Sequence, residues 1–247
     1  MSDADLAFAH RLADAADAIT TARFRAVDLR VETKPDLTPV SEADRAAEEA
    51  VRALVSSSGR GEGVLGEEHG DDGGDAKWIV DPIDGTKSYV RGLPVWATLL
   101  ALSREGSVDV ALVSAPALAR RWWAVRGGGA FANGVACRVS PVARLEDAVV
   151  SSTTPRGMPA GWAEVVERAW ATRSFGDFWQ YCLVAEGALD AGCDPELQLW
   201  DYAAVDLIVR EAGGVCTTFS GAEPSPGSSF AATNGRVHDE LVSLLGA

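Results

Sequence analysis

The sequence predicts an α+β fold whose two halves differ in the order of their helices and strands. Between residues 95 and 139, strand-like segments joined by short glycine-containing turns follow one another, which indicates an antiparallel sheet. After Pro141, strands and helices alternate, which is typical of a layered α/β unit. The chain has 247 residues, 47% of them hydrophobic and 23% charged, which is enough to bury a full core. We therefore expect an N-terminal half, residues 1–141, and a C-terminal half, residues 142–247, joined in one compact unit.

The N-terminal half is expected to begin with two helices. Residues 3–24 place apolar side chains at spacings of three and four, as in an amphipathic helix. The segment Ser41-Glu42-Ala43-Asp44 resembles an N-terminal cap and predicts the start of the second helix. A short buried strand, residues 78–80, then ends at Asp81. The hairpin strands that follow are predicted at 95–103, 107–114, 121–125 and 130–139, with turns at Arg104-Glu105-Gly106 and Gly127-Gly128-Gly129.

The C-terminal half is expected to contain three strands and four helices. The predicted strands cover residues 148–152, 215–219 and 230–233. The predicted helices cover residues 162–170, 177–191, 200–211 and 238–245. Gly213-Gly214 ends the third of these helices.

The formal net charge of −14, from 22 basic and 36 acidic residues, restricts the class of partner. An acidic surface repels nucleic acid and anionic membranes, so we expect neither as a partner. A phosphorylated substrate would also be repelled, unless divalent cations lie between the acids and the phosphate.

The four cysteines are far apart in the sequence and form no Cys-x-x-Cys pair. Cys182 and Cys216 stand in apolar runs and are interpreted as small buried side chains. The first twenty residues do not resemble a targeting peptide, and no apolar run reaches the roughly 20 residues of a membrane span. These observations predict a soluble protein of the reducing cytoplasm.

Four segments carry the acidic residues that are candidate site residues. They are Asp44, Gly66-Glu67-Glu68, Asp81-Pro82-Ile83-Asp84-Gly85-Thr86 and Trp200-Asp201. Taken alone, each segment has a simpler interpretation. Asp44 and Asp201 are placed to stabilise the first turns of helices. The Glu67-Glu68 pair fits a solvated turn, and the dipeptides in the third segment are common in turns.

Taken together, the segments favour a metal site. The buried strand 78–80 ends at Asp81, so we expect this carboxylate at the edge of the core, away from water. The turn that follows Pro82 lets the Asp84 carboxylate approach that of Asp81, with the Ile83 carbonyl between them. A backbone that turns there also presents N–H groups to a phosphate. Several carboxylates this close would raise one another's pKa unless cations lie between them. Hard oxygen ligands suit Mg²⁺, whereas the three scattered histidines give no zinc spacing.

The motifs resemble those of the inositol monophosphatase family, in order, over roughly residues 35–235. The resemblance implies a layered αβαβα sugar-phosphatase fold and a metal-dependent phosphatase. Within that family the chain is similar to the histidinol-phosphate phosphatases of the actinobacterial type. The segments that carry this finer resemblance are Lys87-Ser88-Tyr89-Val90-Arg91-Gly92, Pro94-Val95-Trp96, Arg121-Trp122-Trp123 and residues 176–187.

The resemblance also implies a role for each site residue. Glu67, Asp81 and the Ile83 carbonyl would hold one Mg²⁺. A second would lie between Asp81, Asp84 and Asp201, and Glu67 would help a third through water, with Mn²⁺ as an alternative ion. Asp44, Glu67 and Thr86 would form the catalytic group, in which Asp44 and Thr86 orient and deprotonate the attacking water. The amides of Gly85 and Thr86 would hold the phosphate, and relatives in the family are usually homodimers.

The organic half of the substrate is predicted from the same resemblance. Histidinol phosphate carries an ammonium and an imidazole, which favour carboxylates and aromatic faces. Asp177 and Asp194 are the expected substrate-binding acids, with Glu196 and Trp96 as further contacts, although Asp177 is also placed to cap a helix. An inositol-1-phosphate or broad sugar-phosphate phosphatase is the alternative. A non-catalytic RNA or transcription scaffold of the same fold is a remote one, which the acidic charge and the intact ligand set disfavour.

Overall fold

The structure, a computed structural model, describes residues 2–35 and 37–246. Its helices are α1 (Ser2–Arg23), α2 (Glu42–Ser57), α3 (Thr86–Val90), α4 (Gly161–Arg168), α5 (Asp177–Ala185), α6 (Leu199–Glu211) and α7 (His238–Leu245). Its strands are β1 (Val31–Thr33), β2 (Pro39–Ser41), β3 (Gly63–Gly66), β4 (Gly70–Asp71), β5 (Ala76–Asp84), β6 (Ala97–Arg104), β7 (Ser107–Ala115), β8 (Arg120–Val125), β9 (Gly129–Ala132), β10 (Val135–Ala136), β11 (Val149–Ser152), β12 (Ala171–Arg173), β13 (Ala191–Leu197), β14 (Val215–Thr217) and β15 (Ser228–Thr233).

The larger sheet has eight strands in the order β10-β9-β8-β7-β6-β5-β3-β4. All neighbours in it are antiparallel except β3 and β5. Successive side chains of a strand point to opposite faces. Trp78 and Val80 of β5 therefore pack with α1 and α2, whereas Ile79 packs in the core that contains α5 and α6. Because both faces are covered, residues 78–80 of β5 are consecutive apolar side chains.

The smaller sheet has five strands in the order β12-β11-β13-β15-β14 and mixes parallel and antiparallel pairs. One of its faces shares the core with α5 and α6, and the other is covered by α4 and α7. The layers are therefore α1–α2, large sheet, α5–α6, small sheet and α4–α7, which confirms the αβαβα arrangement. Nothing in the structure tests 141/142 as a domain boundary, and that division remains a proposal.

The predicted hairpins are confirmed, and the reason lies in their turns. Glu105 and Gly106 both have positive φ angles, 51° and 77°, which matches the turn type that joins twisted antiparallel strands. The predicted strand 130–139 is instead two short strands, β9 and β10. Between them Asn133-Gly134 makes the same kind of turn, with φ angles of 47° and 85°.

The largest error in the secondary-structure prediction concerns residues 177–191. The helix α5 ends at Ala185, and Gly187 has a φ of 76°. The chain then forms β13, a central strand of the small sheet that the sequence did not reveal. Its first residues are small because Gly192 lies against Gln180 and Tyr181, which a Cβ there would approach to 3.2 Å. The helix α3 and the strands β1, β2, β3, β4 and β12 are further elements that the sequence analysis does not predict.

The cysteine interpretation agrees with the structure: Cys182 and Cys216 are buried, and all four cysteines are free. In the part of the chain that the structure describes, no helix has both the length and the apolar character to cross a membrane.

Candidate active site

A β-bulge at the end of β5 brings Asp81 and Asp84 to the same side of the large sheet. Asp81 pairs with Leu99 of β6 and Asp84 pairs with Ala97, so three steps on β5 correspond to two on β6. In a regular strand, residues three apart face opposite sides, and the extra residue of the bulge reverses this. Pro82 lies inside the bulge, where its lack of an N–H group does no harm.

Asp201 reaches this pair from the first turn of α6. Its Oδ2 accepts a hydrogen bond from the Gln198 amide at 2.7 Å, so it caps its helix as the simpler interpretation expected. Carboxylate oxygens of Asp81, Asp84 and Asp201 lie within 4.8 Å of one another. The three acids line a cavity of about 360 Å³. Glu67 and Thr86 also line it, as do three further acids that we call the substrate side: Asp177, Asp194 and Glu196.

Burial and mutual repulsion disfavour ionisation of the three acids. The pKa of Asp81, which is 2% exposed, lies well above the usual range because of burial and then the charge of Glu67. Burial, followed by the charges of Asp177 and Asp201, raises the pKa of Asp84 in the same way. Burial also raises the pKa of Asp201 to about 7. An all-oxygen donor set that repels itself fits a hard divalent cation such as Mg²⁺.

Glu67 lies in the same cavity but outside the group of three. Its Oε1 accepts a hydrogen bond at 2.7 Å from the ammonium of Lys34, which also contacts Glu68 at 2.5 Å. Burial lowers the pKa of Lys34, but the hydrogen bonds that its ammonium donates to these two carboxylates, with their charges, outweigh that effect and raise the pKa. Lys34 stands at the tip of the β1–β2 hairpin. The sequence prediction missed it, because a lysine in a short loop carries no signal of its own.

Asp44 joins the N-terminus of α2 to the turn after β5. Its Oδ2 accepts hydrogen bonds from the amide and hydroxyl of Ser41, at 2.8 and 2.5 Å. Its Oδ1 accepts from the Thr86 hydroxyl at 3.3 Å, and that hydroxyl also lies 3.0 Å from the Ile83 carbonyl. Burial raises the pKa of Asp44 to about 6. The helix cap and the contact with Thr86 therefore coexist in one carboxylate.

Gly85 and Asp177 lie close together in the wall of the cavity, where the turn after Asp84 meets the start of α5. Gly85 has a φ of 84°, and a Cβ there would lie 2.8 Å from the Val95 carbonyl and 3.1 Å from the Asp177 carboxylate. Only glycine fits such a position. Thr86 begins α3 just beyond it, and the first amides of a helix have no partner within the helix.

Asp177 has a backbone conformation that non-glycine residues rarely adopt, with a φ of 49°. Its amide donates to the Thr153 hydroxyl at 3.0 Å, and burial raises the pKa of its carboxylate to about 6. Strain of this kind costs on the order of 1–3 kcal/mol and persists where surrounding contacts impose it, often at binding sites.

Asp194 is 3% exposed and is held by four hydrogen bonds. Its Oδ1 accepts from the Thr153 amide at 3.1 Å. Its Oδ2 accepts from the Thr153 hydroxyl, the Gln180 amide group and the Tyr181 hydroxyl, at 2.9, 2.7 and 2.6 Å. The structure places Asp194 at the cavity wall, and its role as a direct substrate contact remains a prediction. Glu196 lines the cavity with an exposed side chain.

The expected contact from Trp96 is wrong. This side chain is 0% exposed and packs edge-on against Tyr89 and at a tilt against Phe24. Both rings lie behind the site in the small apolar cluster that also contains the Ile83 side chain. Trp96 therefore supports the turn after β5 from the core.

The raised pKa of Asp201 leads to a prediction for the metal-free protein. A carboxyl whose pKa is higher in the folded state than its ordinary 3.8 binds protons on folding, so its ionised form destabilises the fold above about pH 7. This destabilisation is removed as the pH falls from about 7 towards 4. We expect Asp201→Asn to raise the Tm in EDTA at pH 8, by an amount that shrinks towards pH 5. Melting curves of both proteins across this interval measure it, and a constant difference would contradict the assignment.

The chain is similar to known proteins over its whole length. A family model described as the inositol monophosphatase family matches residues 2–245. A Mycobacterium tuberculosis protein named histidinol-phosphatase is 49% identical, over 100% of both chains. Another of that name from Streptomyces coelicolor is 51% identical over 98% of this chain and 96% of its own length. Among solved structures, the Thermotoga maritima IMPase matches with a TM-score of 0.91 and 33% identity, covering 100% of this chain and 97% of that one.

Proposed function

Since the chain belongs to the inositol monophosphatase family and is a phosphoric monoester hydrolase, we propose that it hydrolyses L-histidinol phosphate to L-histidinol and phosphate. The reaction is Mg²⁺-dependent and serves histidine biosynthesis. The observation that carries the substrate assignment is the set of carboxylates on the substrate side of the cavity, Asp177, Asp194 and Glu196. The two full-length histidinol-phosphatase relatives, at about 50% identity, support it.

The proposed metal ligands are the acids of the cavity floor. Glu67, Asp81 and the Ile83 carbonyl would hold one Mg²⁺, and Asp81, Asp84 and Asp201 would hold a second. Glu67 would contribute to a third ion through water, and Mn²⁺ would be an alternative to Mg²⁺. When bound, these ions neutralise the phosphate, lower the pKa of the attacking water and stabilise the leaving oxygen.

The remaining catalytic roles belong to Asp44 and Thr86. The Thr86 hydroxyl, held between Asp44 and the Ile83 carbonyl, positions the attacking water, and Asp44 accepts its proton through Thr86. The water oxygen forms the new bond to phosphorus and the ester P–O bond breaks. The leaving oxygen of histidinol takes a proton from solvent water, and the proton held by Asp44 returns to solvent. The amides of Gly85 and Thr86, at the start of α3, hold the phosphate oxygens.

The charge of the cavity distinguishes the candidate substrates. Histidinol phosphate presents an ammonium and an imidazole to Asp177 and Glu196, which gain favourable interactions of a kind that inositol cannot offer. A neutral polyol would leave the half-buried Asp177 carboxylate without a cationic partner. An inositol-1-phosphate or broad sugar-phosphate phosphatase remains the alternative function.

The deciding experiment compares kcat/KM for L-histidinol phosphate and inositol-1-phosphate with the purified protein in Mg²⁺. We expect a preference for histidinol phosphate of at least about 100-fold, because two charge-assisted contacts contribute on the order of 3 kcal/mol. The same assay without added metal, after chelation, provides the control for metal dependence. Equal rates, or a preference for inositol-1-phosphate, would contradict the substrate assignment and favour the alternative.

We further propose that the protein works as a homodimer in the cytoplasm. The resemblance to the family motivates the dimer. Four free cysteines agree with a reducing compartment, and Trp170, 73% exposed just beyond α4, is an apolar side chain that an interface would cover. Sedimentation analysis of the purified protein tests the dimer.

A further inference from the structure

Glu48 is a completely buried carboxylate to which the proposed mechanism gives no role. It stands four residues after Asp44 on α2, so the two acids project from the same face of the helix. Its side chain is 0% exposed. A buried carboxylate is strongly unfavourable unless hydrogen bonds and an opposite charge compensate it, so its contacts indicate what it does.

The contacts of Glu48 join α2 to the turn that carries Glu67. Oε2 accepts a hydrogen bond from the backbone amide of Glu68 at 2.8 Å, and Oε1 accepts from that of His69 at 3.1 Å. Arg52, one turn later on α2, donates to Oε1 at 2.8 Å and supplies the opposite charge. Both oxygens of the carboxylate are therefore used on two consecutive amides.

The glycine of the Gly66-Glu67-Glu68 motif exists because of this carboxylate. A Cβ on Gly66 would lie 2.1 Å from Oε1 of Glu48 and 2.2 Å from its carboxyl carbon. No movement of a few tenths of an ångström removes such an overlap. Glu48 and Gly66 are thus a matched pair, in which the carboxylate rests directly on the backbone at the end of β3.

Three consecutive backbone amides, those of Glu67, Glu68 and His69, donate hydrogen bonds. The Glu67 amide donates to the Val80 carbonyl of β5 at 3.2 Å, and the next two amides donate to Glu48. The backbone of Glu67 is therefore tied on one side to the strand that carries Asp81 and on the other to α2. Loss of a group that orients a metal ligand typically lowers metal affinity by about 10-fold to 100-fold.

We propose that Glu48 is a positioning residue that fixes the backbone of Glu67 relative to Asp81 and thereby sets the affinity of the metal site. The inference rests on the proposed function for the identity of the site. It assigns to Glu48 an effect on Mg²⁺ affinity that is separate from its contribution to folding.

The test is Glu48→Gln, measured by calorimetric titration of the metal-free protein with Mg²⁺. Glutamine has one acceptor oxygen, so its NH₂ group must face a donor and one of the two amide contacts is lost. We expect the Kd for Mg²⁺ to rise by about 10-fold to 100-fold. At saturating Mg²⁺, kcat should fall by a much smaller factor, because Glu48 does not line the cavity.

Glu49→Gln is the matched control. Glu49 is the next residue on the same helix, its side chain is 67% exposed, and its contact is His69 at 3.4 Å. The same change of charge there should leave the Kd unaltered. Glu48→Asp keeps the charge and the Arg52 contact but withdraws the carboxylate by one methylene, so it should show the same defect to a smaller degree. It also serves if the glutamine variant does not fold.

Amide hydrogen exchange separates the inference from the proposed function. In the metal-free protein, the Glu68 and His69 amides should exchange faster in Glu48→Gln than in the wild type, whatever the protein binds. Unchanged exchange at both positions, or an unchanged Kd in a variant with a lowered Tm, would overturn the inference and leave Glu48 a structural residue. A wild-type protein that binds no Mg²⁺ would instead contradict the proposed function, and the link from Glu48 to metal with it.

Discussion

Asp81→Asn should lower kcat by about 10³-fold while it makes the metal-free protein more stable. Asp81 is proposed as a ligand of both principal ions, so its loss removes on the order of 4 kcal/mol of transition-state stabilisation. In the absence of metal, burial and then the charges of Glu67, Asp84 and Asp201 raise the pKa of this carboxylate. Asparagine keeps the oxygen that accepts the Ile83 amide at 3.0 Å and removes the repulsion.

A loss of kcat together with a gain in stability of the metal-free protein distinguishes a metal ligand from an acid that only supports the fold. Steady-state kinetics in saturating Mg²⁺ measure the first effect, and melting curves in EDTA measure the second. Asp147→Asn, at a side chain that is 63% exposed, is the control and should alter neither quantity. A variant at position 81 that keeps wild-type kcat would remove Asp81 from the metal site. One that is less stable in EDTA would show that the carboxylate supports the fold.

Asp177→Asn should reduce kcat/KM for L-histidinol phosphate by about 50-fold and leave that for inositol-1-phosphate within a few-fold of the wild type. A hydrogen bond to a charged group contributes about 1.5–3 kcal/mol, and each 1.4 kcal/mol is tenfold. Asparagine tolerates the left-handed backbone that Asp177 adopts. The substitution therefore removes the charge without disturbing the turn.

Glu196→Gln separates a specific contact from the general charge of the cavity. Glu196 lines the same side but is exposed to solvent, so its loss should reduce kcat/KM by less than about 5-fold. If kcat/KM falls by the same factor in Asp177→Asn and Glu196→Gln, the two acids act through their combined negative charge. If Asp177→Asn slows both substrates equally, Asp177 positions the site without selecting the substrate, and the histidinol assignment loses its main support.

The sequence was informative where chemistry depends on residues that are adjacent in the chain. The run from Asp81 to Thr86 contains a strand end, a proline and a glycine, and these predicted a turn with converging acids. The bulge in β5 that makes Asp81 and Asp84 converge was not predicted, because it is defined by the register with β6. Likewise, the sequence presents the helix cap and the catalytic role with Thr86 as alternatives for Asp44. It cannot show that the two oxygens of one carboxylate make different contacts.

Only the tertiary structure decided which distant residues share the site. Lys34 contacts Glu67, Glu48 supports the turn behind it, and Trp96 lies in the core instead of the cavity. No local pattern encodes these facts, since each depends on how a hairpin, a helix and a sheet pack together. Hydrophobic periodicity is local, so the sequence by itself predicts an α+β fold. The acidic motifs carry the resemblance to the family, and that resemblance implies the αβαβα layers. The conformation of Asp177 and the burial of Asp194 depend on contacts with Thr153 and with side chains of α5. These contacts join segments far apart in the chain, so only the fold decides the shape of the substrate side.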